Sequence, residues 1–248
     1  MINHLDFDGA DTDSGYEKLT PSQRRKDLHE LDDVLPVLGG RLTDLEFLAR
    51  RIKAGETPKK SAREIVDQSA SEILKMFLSA GPGAGSEEKR DFTASQAWVL
   101  VKQLAGADNG SLRYNEVLLN PMYGGGADRA LAALEQVELI SIQSSAGRPY
   151  AIRPGRPVYA AAFRKLVNDK VLRSRMDLAV LGECIKQESA AIDKAEQELH
   201  LLGELPKQPA ELTARVQWLL GKIMTSQTKV EHWETEQAAL KKILTSEY

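Results

Sequence analysis

The spacing of apolar residues is most regular in the last third of the chain, residues 169–248. Apolar side chains recur there at alternating steps of three and four, over two long stretches separated by the segment GELPKQP. The seam positions in this spacing include Ala195 and Leu202 in the first stretch and Val216 in the second. Such spacing is typical of coiled coils, because it keeps one seam of each helix facing its partner. A short connection between two long helices favours an antiparallel hairpin. We expect this hairpin to close on itself or to pair with other subunits or a protein partner, through Leu178, Leu181, Ile185, Ile192, Leu199, Leu219, Ile223, Val230, Trp233 and Leu240.

Residues 21–80 contain shorter stretches with helical spacing of apolar residues, and these predict a small, lid-like bundle of three helices. The first helix is expected to stop at Pro36 and Gly39-Gly40, and the second to begin at Thr43 with Glu46 completing a capping box. Thr57 is the expected N-cap of the third, directly before a proline. The side chains expected to face inward are Leu28, Leu31, Leu35, Leu45, Leu48, Ala49, Ile52, Ile65, Ala70, Ile73, Met76 and Phe77.

Residues 91–168 change from a helical to a β pattern along their length. Three helical stretches come first, the opening one capped by Thr93, and the third expected to bury Leu131, Leu134 and Val137. The β-rich runs LISIQ and YAIRP then flank SSAGRP, which indicates a hairpin. Three helices followed by a β-hairpin is the order of a winged-helix domain, with the hairpin as its wing. The predicted fold class is therefore mainly α: a lid-like bundle, a winged helix and a coiled-coil hairpin.

Two further segments carry no helical period. Residues 1–20 are strongly acidic, which argues against a signal or transit peptide and indicates a flexible segment or the remnant of a preceding domain. Residues 81–90, GPGAGSEEKR, are rich in glycine. A phosphate-binding P-loop needs a lysine and a hydroxyl after its last glycine, and this segment has neither, so we interpret it as a linker.

Composition narrows the classes of function. The 33 basic and 36 acidic residues leave a net charge of -3, which argues against nucleic-acid binding over the whole surface. The mean hydropathy is -0.35, and no apolar run approaches the ~20 residues that span a bilayer. Cys184 is the single cysteine, and no histidine or cysteine spacing suits a metal, so we expect no metal site. No catalytic triad or paired-carboxylate arrangement is evident, so we expect no enzymatic activity from this chain alone.

A local basic patch remains an alternative. The predicted wing carries Arg148, Arg153 and Arg156 close together in sequence, and arginines bind phosphates well. The predicted third helix, which would enter the major groove, has few basic residues. The alternative function is therefore a nucleic-acid-binding winged-helix protein that uses the wing arginines.

The stretch LGGRLTDLEFLARRIKAGETP places Gly39, Gly40 and Arg41 directly before a helix. One interpretation is a plain helix end with a solvated arginine. The other is that the glycines allow a close turn and that Arg41 reaches a phosphate. A glycine–arginine pair that opens a helix, in a helical bundle followed by a winged helix, resembles the lid of an AAA+ or STAND-type ATPase. By that resemblance, Arg41 is a sensor-2-like residue that contacts the γ-phosphate of ATP bound to the preceding domain.

The longer phrase LGGRLTDLEFLARRIKAGETP, together with ASEILKMFL, resembles the RNA12 family of fungal mitochondrial proteins, also called mitochondrial escape protein 2. The resemblance implies a longer protein anchored in the mitochondrial inner membrane, with an RNA-recognition domain in the matrix and an ATPase-like domain in the intermembrane space. It also implies a role in maintaining the mitochondrial genome and its nucleoids.

This chain departs from that pattern, because it has no Walker A lysine, Walker B strand, membrane span or RNA-recognition motif. We therefore expect no cofactor in the chain itself, and ATP and RNA binding would belong to the longer protein. The predicted function is assembly and partner contact, on the intermembrane-space side, for an AAA+-like protein of the mitochondrial inner membrane.

Overall fold

The computed structural model describes residues 21–78, 91–204 and 210–246. The predicted acidic segment 1–20 and the linker 81–90 lie outside these residues. The described chain is mainly helical, with a three-stranded antiparallel sheet and a C-terminal helical hairpin. We call residues 21–78 the first unit, residues 91–168 the middle unit and the C-terminal hairpin the arm.

The first unit contains helices α1 (Pro21–Leu38), α2 (Leu42–Lys53) and α3 (Pro58–Ile73), and α3 ends in a wider π-helical turn, Leu74–Leu78. The predicted N-cap Thr57 is confirmed, since its hydroxyl accepts from the backbone N–H of Lys60. The predicted stop at Gly39-Gly40 is confirmed, because α1 ends at Leu38, directly before these glycines. Pro36 lies inside α1 and does not stop it, contrary to prediction. The predicted capping box at Thr43 is also wrong: the N-cap of α2 is Arg41, which makes no side-chain cap.

The buried face of α1 differs from the predicted stripe. Val34 and Leu38 are buried, whereas Leu28 and Leu35 are exposed. The buried face is the one that packs on α3 and on a helix of the middle unit. Leu35 instead lines an open apolar groove of about 540 Å³ between α1 and α2. Of the other residues expected to face inward, Ala49 and Met76 are exposed, and Leu48, Ile65, Ala70, Ile73 and Phe77 are buried.

The middle unit follows the predicted order of three helical stretches and a hairpin. Its elements are α4 (Ala94–Ala105), β1 (Leu112–Arg113), α5 (Tyr114–Leu118), a 3-10 helical segment (Pro121–Gly126), α6 (Ala127–Gln136), β2 (Ile140–Ser145), β3 (Arg148–Pro154) and α7 (Pro157–Asn168). The sheet order is β1-β3-β2, and every pairing is antiparallel. Thr93 and Gln96 form a capping box at α4. Val137 is exposed, contrary to prediction, because α6 ends there.

The arm consists of α8 (Lys170–Gly203) and α9 (Ala210–Ser246). Asp169 alone separates α7 from α8, and its carboxylate accepts from the N–H of Leu172 to cap α8. The two long helices pack side by side, which confirms the predicted hairpin. Each of the ten predicted seam residues is buried or half-buried, so the alternating spacing identified the facing sides of both helices.

The first and middle units share one hydrophobic core. Leu38 and Ile73 of the first unit belong to the same cluster as Trp98, Leu131 and Phe163 of the middle unit, all fully buried. Helix α7 joins them by packing on both α3 and α4. Lys165 of α7 also forms an ion pair with Asp67 of α3. The turn at Arg41 is therefore held against the middle unit, and the base of the arm is anchored in the same body.

Candidate functional site: a cleft with two arginines and a projecting arm

The turn that carries Arg41 lies in a cleft between the first and middle units. The cleft has a volume of about 470 Å³, and its walls are the turn 39–41, the end of α6, the start of β2 and the corner 155–157. Gly39 has φ +64°, and a Cβ there would lie 2.2 Å from the Cβ of Pro157. Only glycine fits this contact, so the turn and the corner are tightly apposed.

Arg41 is half-buried, and its backbone carbonyl accepts from the N–H groups of Asp44 and Leu45 at the start of α2. Within the residues that the structure describes, Arg41 makes no ion pair. The helix-end interpretation of the glycine pair is supported, since the N–H of Gly39 bonds to the carbonyl of Leu35 where α1 ends. A contact between Arg41 and a phosphate remains a prediction. The turn both ends one helix and holds a guanidinium at a cleft.

Arg156 shares the cleft, which sequence reasoning did not foresee. Its guanidinium lies 3.3 Å from Glu138 and 3.7 Å from Glu72, and stacks 5.2 Å from the ring of Tyr159. Burial raises the pKa of Tyr159, and the positive charges of Arg156 and Arg41 partly oppose that rise. Arg156 is thus committed to two carboxylates and ties α3 to the end of α6, whereas Arg41 is the cation more available to an added anion.

The three predicted wing arginines do not form one patch. Arg148 begins β3 at the hairpin turn, Arg153 lies five residues further along, and Arg156 lies beyond the strand in the cleft. An extended strand rises roughly 3.3 Å per residue, so the first two are roughly 17 Å apart along it. Nucleic-acid binding through these arginines remains a prediction, and the structure gives it no shared surface.

The charged residues of α6 contact the middle unit itself. Arg129 lies 3.4 Å from Asp91. Asp128 accepts from the hydroxyl of Tyr114 at 2.9 Å, and burial together with this bond raises the pKa of Tyr114 to about 12. Glu135 accepts from the N–H of Ile142 at 2.8 Å. Two of these three side chains are acidic and the third is paired at the surface, so α6 offers little positive charge to a groove.

The base of the arm, residues 170–187 and 230–246, is fixed to the middle unit by a polar contact. Asp177 of α8 accepts from the indole N–H of Trp98 at 2.8 Å and from the ammonium of Lys102 at 2.8 Å. Trp98 is fully buried, so Asp177 satisfies a donor that water cannot reach. Met176 is buried beside this contact, and Val180 and Cys184 pack on the same core.

The distal half of the arm, residues 188–204 and 212–229, has a small core of its own. Ala195, Leu219 and Ile223 are buried together, apart from the main core. Polar pairs flank them: Arg215 bonds to Glu198 at 2.7 Å, and Glu188 accepts from Ser226 at 2.8 Å. Two long helices held in this way form an arm that extends beyond the two units.

Four large apolar side chains on the distal half are exposed. Leu201 is 64% exposed, Trp218 52%, Leu220 49% and Met224 68%. The guanidinium of Arg215 stacks on the ring of Trp218 at 4.4 Å. The sequence analysis did not single out these residues, because it followed only the seam. The run WLL at 218–220 is the signal that was missed, since three successive apolar residues cannot all face one helix partner.

Two simpler chemistries find no support in the described residues. The structure places no group of three or more histidine, cysteine, aspartate or glutamate side chains where they could hold a metal there. Cys184 is half-buried with its sulfur 4.0 Å from that of Met122, and burial raises the pKa of its thiol, which disfavours the reactive thiolate.

None of the described helices is both long enough and apolar enough to cross a membrane.

Comparison with known proteins gives the family. A model of the family described as RNA12 protein matches residues 2–205, which is most of the chain. The chain belongs to the RNA12 family. The RNA12 match includes both units, the cleft and the whole of α8.

Curated RNA12 relatives match over the full length of the chain. Mitochondrial escape protein 2 of Phaeosphaeria nodorum is 53% identical over 251 residues, covering 100% of this chain and 30% of the relative. The proteins of that name in Chaetomium globosum and Aspergillus fumigatus are 51% and 46% identical, again over 100% of this chain and over 31% and 27% of their own lengths. The chain thus spans less than a third of these relatives. No solved structure matches it significantly.

Proposed function

We propose that this chain is an assembly and partner-contact region of a longer mitochondrial protein, and that the distal half of the arm makes the contact. The observation that carries the proposal is the set of four exposed apolar side chains, Leu201, Trp218, Leu220 and Met224, on a helix pair with its own small core. Exposed apolar patches on such a helix pair are typical of protein-interaction sites. Trp and Arg, stacked here at 218 and 215, are also the residues most often found at the energetic centre of interfaces.

The cellular setting is proposed from the family. The relatives bear the name mitochondrial escape protein 2, so we assign this chain to the mitochondrion. The resemblance described above extends the proposal to an AAA+-like protein of the inner membrane, with this region on the intermembrane-space side and a role in maintaining mitochondrial nucleoids. Since the chain is less than a third of its relatives, ATP and RNA binding would be activities of the longer protein.

The middle unit is proposed to be a winged helix that serves protein packing. The helix and strand order, with β3 between β1 and β2, supports that fold. Its α6 uses Asp128, Arg129 and Glu135 in contacts within the unit, and Arg156 is paired with two carboxylates. Because phosphate contacts supply most non-specific nucleic-acid affinity, these commitments favour protein contact over the nucleic-acid alternative.

The arm is tested by shortening it in the longer protein. Replacing residues 190–224 with a short turn of two to five residues keeps Asp177 and the Glu188–Ser226 pair, and removes all four exposed apolar side chains. We expect the native complex in mitochondria to become smaller on native electrophoresis, with the protein itself still present. Trp98→Ala, which disturbs the core instead, should lower the protein level rather than change the size of the complex. An unchanged complex after shortening would contradict the proposal.

Arg41 is proposed to contact a phosphate of ATP bound by the preceding part of the longer protein. Its half-buried position at the cleft, without an ion pair among the described residues, supports this role. The fit is limited to this one contact, because the chain has no GxxxxGK[ST] loop for the remaining phosphates. When bound, ATP would supply the phosphoryl group, and Arg41 would only hold its negative charge.

The matched variants for this contact are Arg41→Ala and Arg50→Ala, since Arg50 lies exposed on α2 away from the cleft. In the longer protein we expect Arg41→Ala to weaken ATP binding or turnover by at least about 10-fold, as is typical when a charge-paired arginine is lost. Arg50→Ala should leave both unchanged. Equal ATP binding and turnover in the two variants would remove Arg41 from the nucleotide site.

A further inference from the structure

The exposed apolar side chains of the distal arm fall on two opposite flanks. Trp218 directly precedes the buried seam residue Leu219, and Leu220 directly follows it. Successive helix residues are 100° apart, so these two side chains point to opposite sides of the seam. Met224 follows the seam residue Ile223 and joins Leu220, and Leu201 of α8 precedes the seam residue Leu202.

The ion pair between Arg215 and Glu198 shows how the flanks of the two helices combine. Arg215 precedes the seam residue Val216, and Glu198 precedes the seam residue Leu199. Their direct contact places the residues that precede the seam in both helices on one flank. Leu201 and Trp218 therefore share this flank, which we call the tryptophan flank. Leu220 and Met224 lie on the other, the methionine flank.

The two flanks carry opposite charge. The residues that precede seam positions in the distal half include four cations, Lys194, Arg215, Lys222 and Lys229, against the single carboxylate Glu198. Those that follow seam positions include Asp193 and Glu196, and no lysine or arginine over residues 188–204 and 212–229. Arg215 is paired with Glu198 and Lys229 with Glu188, so the excess positive charge lies on Lys194 and Lys222. The tryptophan flank is thus apolar and basic, and the methionine flank is apolar and acidic.

We propose that the partner of the arm is a second copy of this chain, with the tryptophan flank of one copy bound to the methionine flank of the next. This inference rests on the proposed function and names its partner. The positive charge of the tryptophan flank complements the negative charge of the methionine flank. Both flanks also expose apolar area that the contact would bury. Like-charged flanks would repel if the same flank met itself, which disfavours a symmetric two-fold contact. Because the contact joins two different surfaces, it repeats from copy to copy and closes a ring or extends a row.

Two flank variants of the purified 248-residue chain test this contact by sedimentation velocity. Leu220→Gln with Met224→Gln removes the apolar side chains of the methionine flank, and Leu201→Gln with Trp218→Gln removes those of the tryptophan flank, with the charge of each flank unchanged. All four positions are exposed, so folding should be kept, and equal helix content by circular dichroism checks this. The control is Leu119→Glu, at a residue that is 82% exposed on the middle unit.

We expect the unaltered chain to form species larger than a dimer as its concentration rises, and to do so less in high salt. Each flank variant should weaken association by at least about 10-fold, and Leu119→Glu should not. Mixing the two flank variants should give a one-to-one dimer and nothing larger, because one intact pair of flanks remains.

Three results would overturn the inference: a chain that stays monomeric at every concentration, flank variants that associate normally, or a mixture that forms no dimer. The last would show that one flank binds itself. If shortening the arm disrupts the mitochondrial complex while the purified chain stays monomeric, the proposed function stands and the second copy is not the partner.

Discussion

The base and the distal half of the arm show the same spacing of apolar residues but are embedded differently. At the base, the residues beside the seam include Val180 and Cys184, which pack on the core that also contains α4. In the distal half, the residues beside the seam are Trp218, Leu220 and Met224, and they remain exposed. A seam pattern therefore determines which sides of two helices meet. The residues beside the seam determine whether a third surface is present, and at the distal half the described chain provides none.

The largest expected difference is between the tryptophan that contacts the base of the arm and the one on its distal half. Trp98 of α4 is fully buried against the base, and Trp98→Ala should lower the free energy of unfolding by about 3–5 kcal/mol. Trp218 is half-exposed, and Trp218→Ala in the dilute monomer should cost less than about 1 kcal/mol. Urea unfolding followed by circular dichroism measures both losses. Equal losses would mean that the two ends of the arm do not differ as described.

A smaller effect is expected at the contact between the arm and the middle unit. Asp177→Ala leaves the indole N–H of Trp98 buried without an acceptor, which should cost about 1–3 kcal/mol. Asp177→Asn keeps an acceptor for Trp98 while losing the charge opposite Lys102, so its loss should be smaller. Thermal unfolding of both variants ranks them. A loss for Asp177→Asn as large as for Asp177→Ala would assign the stabilisation to the ion pair instead.

The smallest effect concerns pH at the distal half. Burial would raise the pKa of Glu188, but hydrogen bonds from Ser226 and Lys229 outweigh it and hold that pKa below its ordinary value. A carboxylate with a lowered pKa stabilises the folded state above its ordinary pKa, and this contribution is lost as the pH falls through the folded pKa. Glu188→Gln should therefore lower the melting temperature at neutral pH, and the difference from the unaltered chain should shrink in acid.

The matched control for this pH dependence is Glu231→Gln, at an exposed position on α9. Its melting curves should follow those of the unaltered chain from neutral pH to acid. A constant difference between Glu188→Gln and the unaltered chain across that range would show that the ionisation of Glu188 does not stabilise the arm.

Local chemistry made some elements predictable from the sequence. The seam of the arm follows from a period repeated many times, and the caps at Thr57 and Thr93 follow from a hydroxyl before a helix. The buried face of α1 did not follow, because Val34 and Leu38 are selected by packing on α3 and α7, which the local stripe does not encode. The expected box at Thr43 failed because the helix starts one residue earlier, at Leu42.

The candidate site was predictable only in part. The sequence indicated a tight turn at Gly39-Gly40 and a cation, Arg41, directly after it, because both features are local. The convergence of Arg156 on the same cleft was not predictable, because it depends on how the corner before α7 meets that turn. Long-range packing also places Arg156 beside Glu72 and Glu138 in the cleft, and not on the predicted basic wing.

The point where α8 leaves the main core is the natural pivot of the arm. Residues of α8 as far as Cys184 pack on that core, so the stretch from Ile185 to Gly203 extends about 28 Å beyond it. A rotation of about 5° near Cys184 would move the far end of the arm by about 2.5 Å. A partner bound at the far end would therefore exert its torque on the contact between α8 and α4, where Asp177 meets Trp98.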